Sequence, residues 1–122
     1  MGMATRLAAV ALATAALWSA PAGANELRTA GQLADACAGD ASTDEGAMAR
    51  VFCYGYLTGV MQLHRELVND LRIETAVCPD YGTSRESVAA AFVAYVAADP
   101  GRRDALPIDA LGQAAAAQWP CR

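Results

Sequence analysis

Four cysteines, Cys37, Cys53, Cys78 and Cys121, constrain the fold of this chain more than any other feature, because all of them follow a segment built for export. Met1 to Ala24 has a short leading region with Arg6 as its only charge. An uncharged apolar run from Leu7 to Trp18 follows, and the small residues Ala22-Gly23-Ala24 close the segment. A secretory signal requires that order, which predicts cleavage after Ala24. The apolar run is shorter than the roughly 20 residues that span a bilayer, and Pro21 with Gly23 breaks it before it could lengthen. The expected product is one periplasmic domain, residues 25–122, and an even cysteine count in an exported domain predicts two disulfides. No two cysteines form a C-x-x-C pair, which argues against a redox centre and against paired zinc ligands.

Between the cysteines the spacing of apolar residues predicts an all-α, four-helix domain. Thr29 with Gln32 has the form of a capping box, so a first helix should run from Ala30 to Cys37, with Leu33 inward and Gly39 as its stop. Ser42 with Glu45 repeats that signal for a long second helix. Along it Met48, Phe52, Tyr56, Gly59, Leu63, Leu67 and Leu71 recur at three- and four-residue steps and are expected to form the main core face. Thr83 with Glu86 should cap a third helix that turns Val88, Phe92, Tyr95 and Val96 inward and ends near Asp99-Pro100. A fourth should run from Pro107 to Trp119, with Ile108, Leu111, Ala115 and Trp119 on one side. Short connections make neighbouring helices antiparallel, which brings Cys78 beside Cys121 and leaves Cys37 to pair with Cys53. Cys53 lies about two turns inside its helix, so the crossed pairing of Cys37 with Cys121 and Cys53 with Cys78 also fits.

The charge pattern narrows the chemistry. All 13 acidic residues and every arginine except Arg6 lie in the expected domain, so its surface is acidic and lacks the basic patch that nucleic acid or anionic lipid would need. His64 is the only histidine and has no nucleophile or carboxylate at catalytic spacing, so neither an enzyme nor a metal or cofactor site is expected. Asp40, Asp44 and Glu45 sit where a helix dipole favours negative charge. Tyr56 and Tyr95 fall on inward faces, and Tyr54 and Tyr81 look free. Gly55 and Gly59, four apart in one helix, each cost about 1 kcal/mol against alanine. That cost suggests either a neighbouring helix close by in the core or the seam of a homodimer.

The run Phe52-Cys53-Tyr54-Gly55-Tyr56-Leu57-Thr58-Gly59-Val60 resembles the F-C-x-G-Y-[IL]-x-G-V signature of the type VI secretion immunity proteins, the group of amidase-immunity (Tai) and resistance-associated (Rap) proteins. Cys37, Cys78-Pro79, Tyr95 before Asp99-Pro100, Arg102-Arg103 and the terminal Trp119-Pro120-Cys121 resemble that family in order and spacing. Phe52, Gly55, Tyr56, Gly59, Tyr95 and Trp119 are the residues that carry the motif. Gln62, the directly joined Cys78-Pro79 and Ser87 depart from the pattern without touching a core or cysteine position.

The resemblance implies a periplasmic, commonly dimeric protein that binds a peptidoglycan amidase effector and blocks its active site. The segment Asn69 to Tyr81, with Asp70, Arg72, Glu74, Asp80 and Tyr81, is the first candidate for partner binding. The connection from Asp40 to Glu45 is the second. A periplasmic holdase of the acid-stress kind is the alternative for a small disulfide-bonded helical domain.

Overall fold

Local hydrogen bonding sets where each helix begins. The structure, a computed structural model, describes residues 26–122, and the expected signal segment lies outside them. Helix α1, Ala30–Cys37, starts at the capping box expected of Thr29 and Gln32. Helix α2, Asp44–Asn69, is capped by Thr43, whose hydroxyl accepts from the Gly46 amide, rather than by Ser42. Ser42 instead donates its amide and its hydroxyl to Asp40 Oδ1. Helix α3, Arg85–Ala97, is capped by Ser84, not Thr83, because the Thr83 hydroxyl is spent on the Asp80 carbonyl. A 3-10 turn, Pro100–Asp104, follows, and helix α4, Pro107–Gln118, completes the domain with proline in its first turn. Among the described residues there is no strand, and no helix is long and apolar enough to cross a membrane.

The centre of the fold is the short α1. It touches α2, α3, α4 and the 3-10 turn, and its Ala30 and Leu33 are wholly buried. The Ala30 amide donates to the Ala105 carbonyl, and Arg103 pairs with Asp35 at 2.6 Å. Phe92 and Val96 of α3, Leu57 and Cys53 of α2, and Leu111 of α4 close around it. Burying side chains of this size contributes about 1.5–3 kcal/mol apiece. On α4 the buried line is Pro107, Ala110, Leu111 and Ala114, while the expected Ile108 faces solvent. The two small alanines let α4 lie close to its neighbours.

Helix α2 departs most from expectation. The face expected to form the main core is only partly inward: Met48, Phe52 and Leu63 are 68%, 48% and 59% exposed, Leu71 beyond the helix end is exposed as well, Tyr56 and Leu67 are half-buried, and the fully buried residues are Cys53 and Leu57. The reason is the Cys37–Cys53 disulfide, whose α-carbons lie 5.1 Å apart. It pins Cys53 against α1 and so selects the Cys53, Leu57, Val60 line as the inward one, with most of the Met48, Phe52, Leu63 stripe left in water. Length adds to this. Helix α2 rises about 39 Å, roughly three times the length of α1, and much of it extends past its partners. The second disulfide joins Cys78 to Cys121, so the antiparallel pairing holds and the crossed one does not.

Candidate functional site

Helix α2 is about 20 Å longer than α3, its last turns carry the chain to a long connection, and this connection is the candidate site. Asp70 ends α2, and Arg72 takes a left-handed φ of 53° that turns the backbone aside. Thr75 then organises the base of the connection. Its hydroxyl lies 2.9 Å from His64 Nε2 and accepts from the Val77 amide at 3.0 Å. Val77 forms an antiparallel bridge with Pro120, the Cys78 amide donates to the Trp119 carbonyl at 2.8 Å, and the Cys121 amide donates to the Ala76 carbonyl. With the Cys78–Cys121 disulfide these contacts fasten the connection to the C-terminal strap and to α2. The chain then turns through Asp80–Thr83, closed by the Thr83 amide on the Asp80 carbonyl, with Gly82 at φ 93°. A positive φ at the third position of such a turn suits glycine. Tyr81, one position earlier, is thrust fully into solvent.

Asp70, Arg72, Glu74, Asp80 and Tyr81 all lie on this connection with their side chains exposed. Leu71 and Ile73 are exposed between them, apolar groups that sequence reasoning assigned to the core or passed over. His64 and Thr75, which hold the base in place, were also missed; a histidine eleven residues from a threonine carries no local signal. A shallow depression of about 560 Å³ beside the disulfide is lined by Cys78, Asp80, Gln118, Trp119, Pro120 and Arg122.

The second candidate, Asp40 to Glu45, is a folded corner. The two hydrogen bonds from Ser42 hold the Asp40 carboxyl below the usual carboxylate range, and Asp44 and Glu45 occupy the first turn of α2. These acids build the turn and favour the helix dipole. A Cβ on Gly46 would overlap the Asp40 carbonyl oxygen, so the close approach in this fold is here. At Gly55 and Gly59, for which a close helix in the core was one of two alternatives, nothing lies within 4 Å of an added Cβ.

The motif residues divide between two faces. Cys53 and Leu57 are core, Tyr56 is half-buried with its hydroxyl pKa raised by that burial, and Phe52, Gly55 and Gly59 face outward. Tyr54 is engaged rather than free: Arg50 donates to its hydroxyl at 2.7 Å, and the guanidiniums of Arg50 and Arg85 lie 5.6 and 5.2 Å from its ring centre. Tyr95 lies under Arg102 at 3.8 Å and donates to Gln113 Oε1. Trp119 packs partly against the core.

The family model described as Rap1a immunity proteins matches residues 29–121, which takes in both disulfides, all four helices and the whole connection. No curated protein and no solved structure matches the chain.

Proposed function

The chain belongs to the family of Rap1a immunity proteins, and on that premise we propose that it neutralises a type VI secretion effector, a peptidoglycan amidase, by laying the connection between α2 and α3 over the enzyme's active-site groove. Family membership makes it an immunity protein against a secreted effector; the amidase and the occlusion are the proposal. The observation that carries it is the build of the connection. Exposed Tyr81, Ile73 and Leu71 offer apolar anchors and Asp70, Glu74 and Asp80 a negative rim, on a segment already fastened by a disulfide and by His64. Binding through a segment held in shape beforehand avoids much of the ordering cost that a loose loop would meet, and interfaces draw most of their affinity from a few such anchors. The protein acts by occupying a groove, without chemistry of its own. Residues 1–24 serve as a cleaved export signal, and residues 25–122 act in the periplasm, where disulfides persist.

A direct test mixes the oxidised protein with an amidase encoded beside its gene and follows peptidoglycan hydrolysis and binding heat. One-to-one inhibition at neutral pH is expected. Tyr81→Ala combined with Ile73→Asp should weaken binding by about a hundredfold or more, whereas Asp109→Asn on α4 should leave it unchanged. An amidase that runs undisturbed, or that is inhibited equally by the double variant, would sink the reading.

A further inference from the structure

The two disulfides stand in opposite surroundings. Cys37–Cys53 is sealed in the core, whereas Cys78 and Cys121 are both exposed at the rim of the fold. The outer bridge is also the main fastening of the connection. Apart from it and the contact of Thr75 with His64, the connection meets the C-terminal strap through one isolated pairing, Val77 with Pro120, and two backbone hydrogen bonds. A pairing that short does not hold by itself in water. The core does not lean on this bridge. Phe92, Val96, Leu57 and Leu111 pack around α1, which the inner bridge ties to α2. Opening Cys78–Cys121 therefore frees the connection and leaves a folded domain.

We propose that Cys78–Cys121 is a thiol-exchange site, opened at Cys78 by a protein dithiol of the C-x-x-C kind, and that this opening unfastens the connection. Cys78, not Cys121, lines the depression of about 560 Å³ walled by Trp119 and Pro120, so a segment seated there meets Cys78. Charge favours the same direction. Arg122 adjoins Cys121 and steadies it as the departing thiolate, and a steadier thiolate leaves faster. Cys121 Sγ lies 3.4 Å from the Thr75 carbonyl oxygen, an acceptor for the thiol once it is protonated. The exchange balances in two steps. A thiolate of the dithiol attacks Cys78 Sγ, the bond to Cys121 breaks, and Cys121 leaves as thiolate and takes a proton from water. The second thiolate of the dithiol then attacks its own sulfur in the mixed disulfide and releases Cys78. The bridge gains two electrons and becomes two thiols, and the dithiol becomes a disulfide. A single thiol is poorly suited to this, because Cys121 stays close to the mixed disulfide and closes the bridge again. The consequence for the amidase rests on the occlusion reading: a freed connection has to be ordered anew on binding, and by linkage a bound effector makes the bridge harder to reduce.

The exchange is tested without any effector. The oxidised protein is mixed with a thioredoxin-type C-x-x-C protein whose second cysteine is alanine, free thiols are alkylated, and the products are mapped by mass spectrometry. A covalent complex on Cys78 with alkylated Cys121 is expected, with Cys37–Cys53 intact, helical circular dichroism unchanged and faster hydrogen exchange in residues 70–81. Arg122→Gln should slow formation of the complex about threefold. A complex on Cys121, equal opening of both bridges, loss of the helical signal, or no complex at all overturns the proposal. A second arm sets the protein with Cys78 and Cys121 reduced and alkylated, and separately Cys78→Ser with Cys121→Ser, against the amidase. Inhibition about tenfold weaker than that of the oxidised chain is expected. Equal inhibition by open and closed forms overturns the unfastening and leaves occlusion standing. No inhibition by either form sinks occlusion, and the mapped complex and hydrogen exchange then decide the exchange site alone.

Discussion

Glycines that look alike in the sequence do opposite work at the scale of single residues. Gly46 sits in the first turn of α2 with the Asp40 backbone against it, and an added Cβ would overlap the Asp40 carbonyl. Backbone has no rotamer through which to yield, so Gly46→Ala is expected to cost at least about 2 kcal/mol and to lower the melting temperature on the order of 10 °C. Gly55→Ala, in open space, should raise it for the isolated copy. Thermal unfolding followed by circular dichroism at low concentration checks both, and equal shifts would contradict the packing at the corner. The spacing of Gly55 and Gly59 suggested the closer contact, because spacing along a helix says that two glycines share a face without saying which way the face points. His64 shows the same limit: its bond to Thr75 exists only because the chain doubles back after α2.

The elements differ in how firmly they are held, and the two disulfides differ most. Cys37 and Cys53 are 7% and 0% exposed, whereas Cys78 and Cys121 are open to solvent. A thiol must reach sulfur to exchange, so mild reductant should open Cys78–Cys121 first. Its loss should speed hydrogen exchange in residues 70–81 while α1 and α3 stay protected, as alkylation with mass spectrometry and exchange measurements would report. Simultaneous loss of both bridges would show that the connection is not separately held. The existence of the four helices was legible from caps and apolar spacing, and α1 was read with its bounds and its cap. The phase of α2 was not. That helix carries one apolar stripe through Met48, Phe52 and Leu63 and a shorter line through Cys53, Leu57 and Val60. The longer stripe looks like the core until the bridge to Cys37 selects the other.

At the scale of the whole molecule, the two covalent loops are a large part of what keeps a small domain folded. Bridges separated by 16 and 43 residues stabilise by roughly 3 to 4 kcal/mol each in the loop-entropy account, against about 5 to 15 kcal/mol in total for a typical domain. Full reduction should therefore remove the cooperative melt at or near 37 °C, which calorimetry with and without reductant would reveal. A melt that survives reduction unchanged would place the stability in the helix packing alone. By itself the sequence determined the class of molecule: helices from capping and periodicity, two disulfides from an even cysteine count behind an export-like segment, and the family from the Phe52 to Val60 run. Those are local or countable properties, carried by neighbours along the chain. Only the tertiary structure decided that the short α1 is the hub, that α2 shows its larger apolar stripe to solvent, and that His64 fastens a loop. Each of these depends on contacts between residues far apart in sequence, whose geometry is settled when the bridges close and the core chooses which face of each helix to bury.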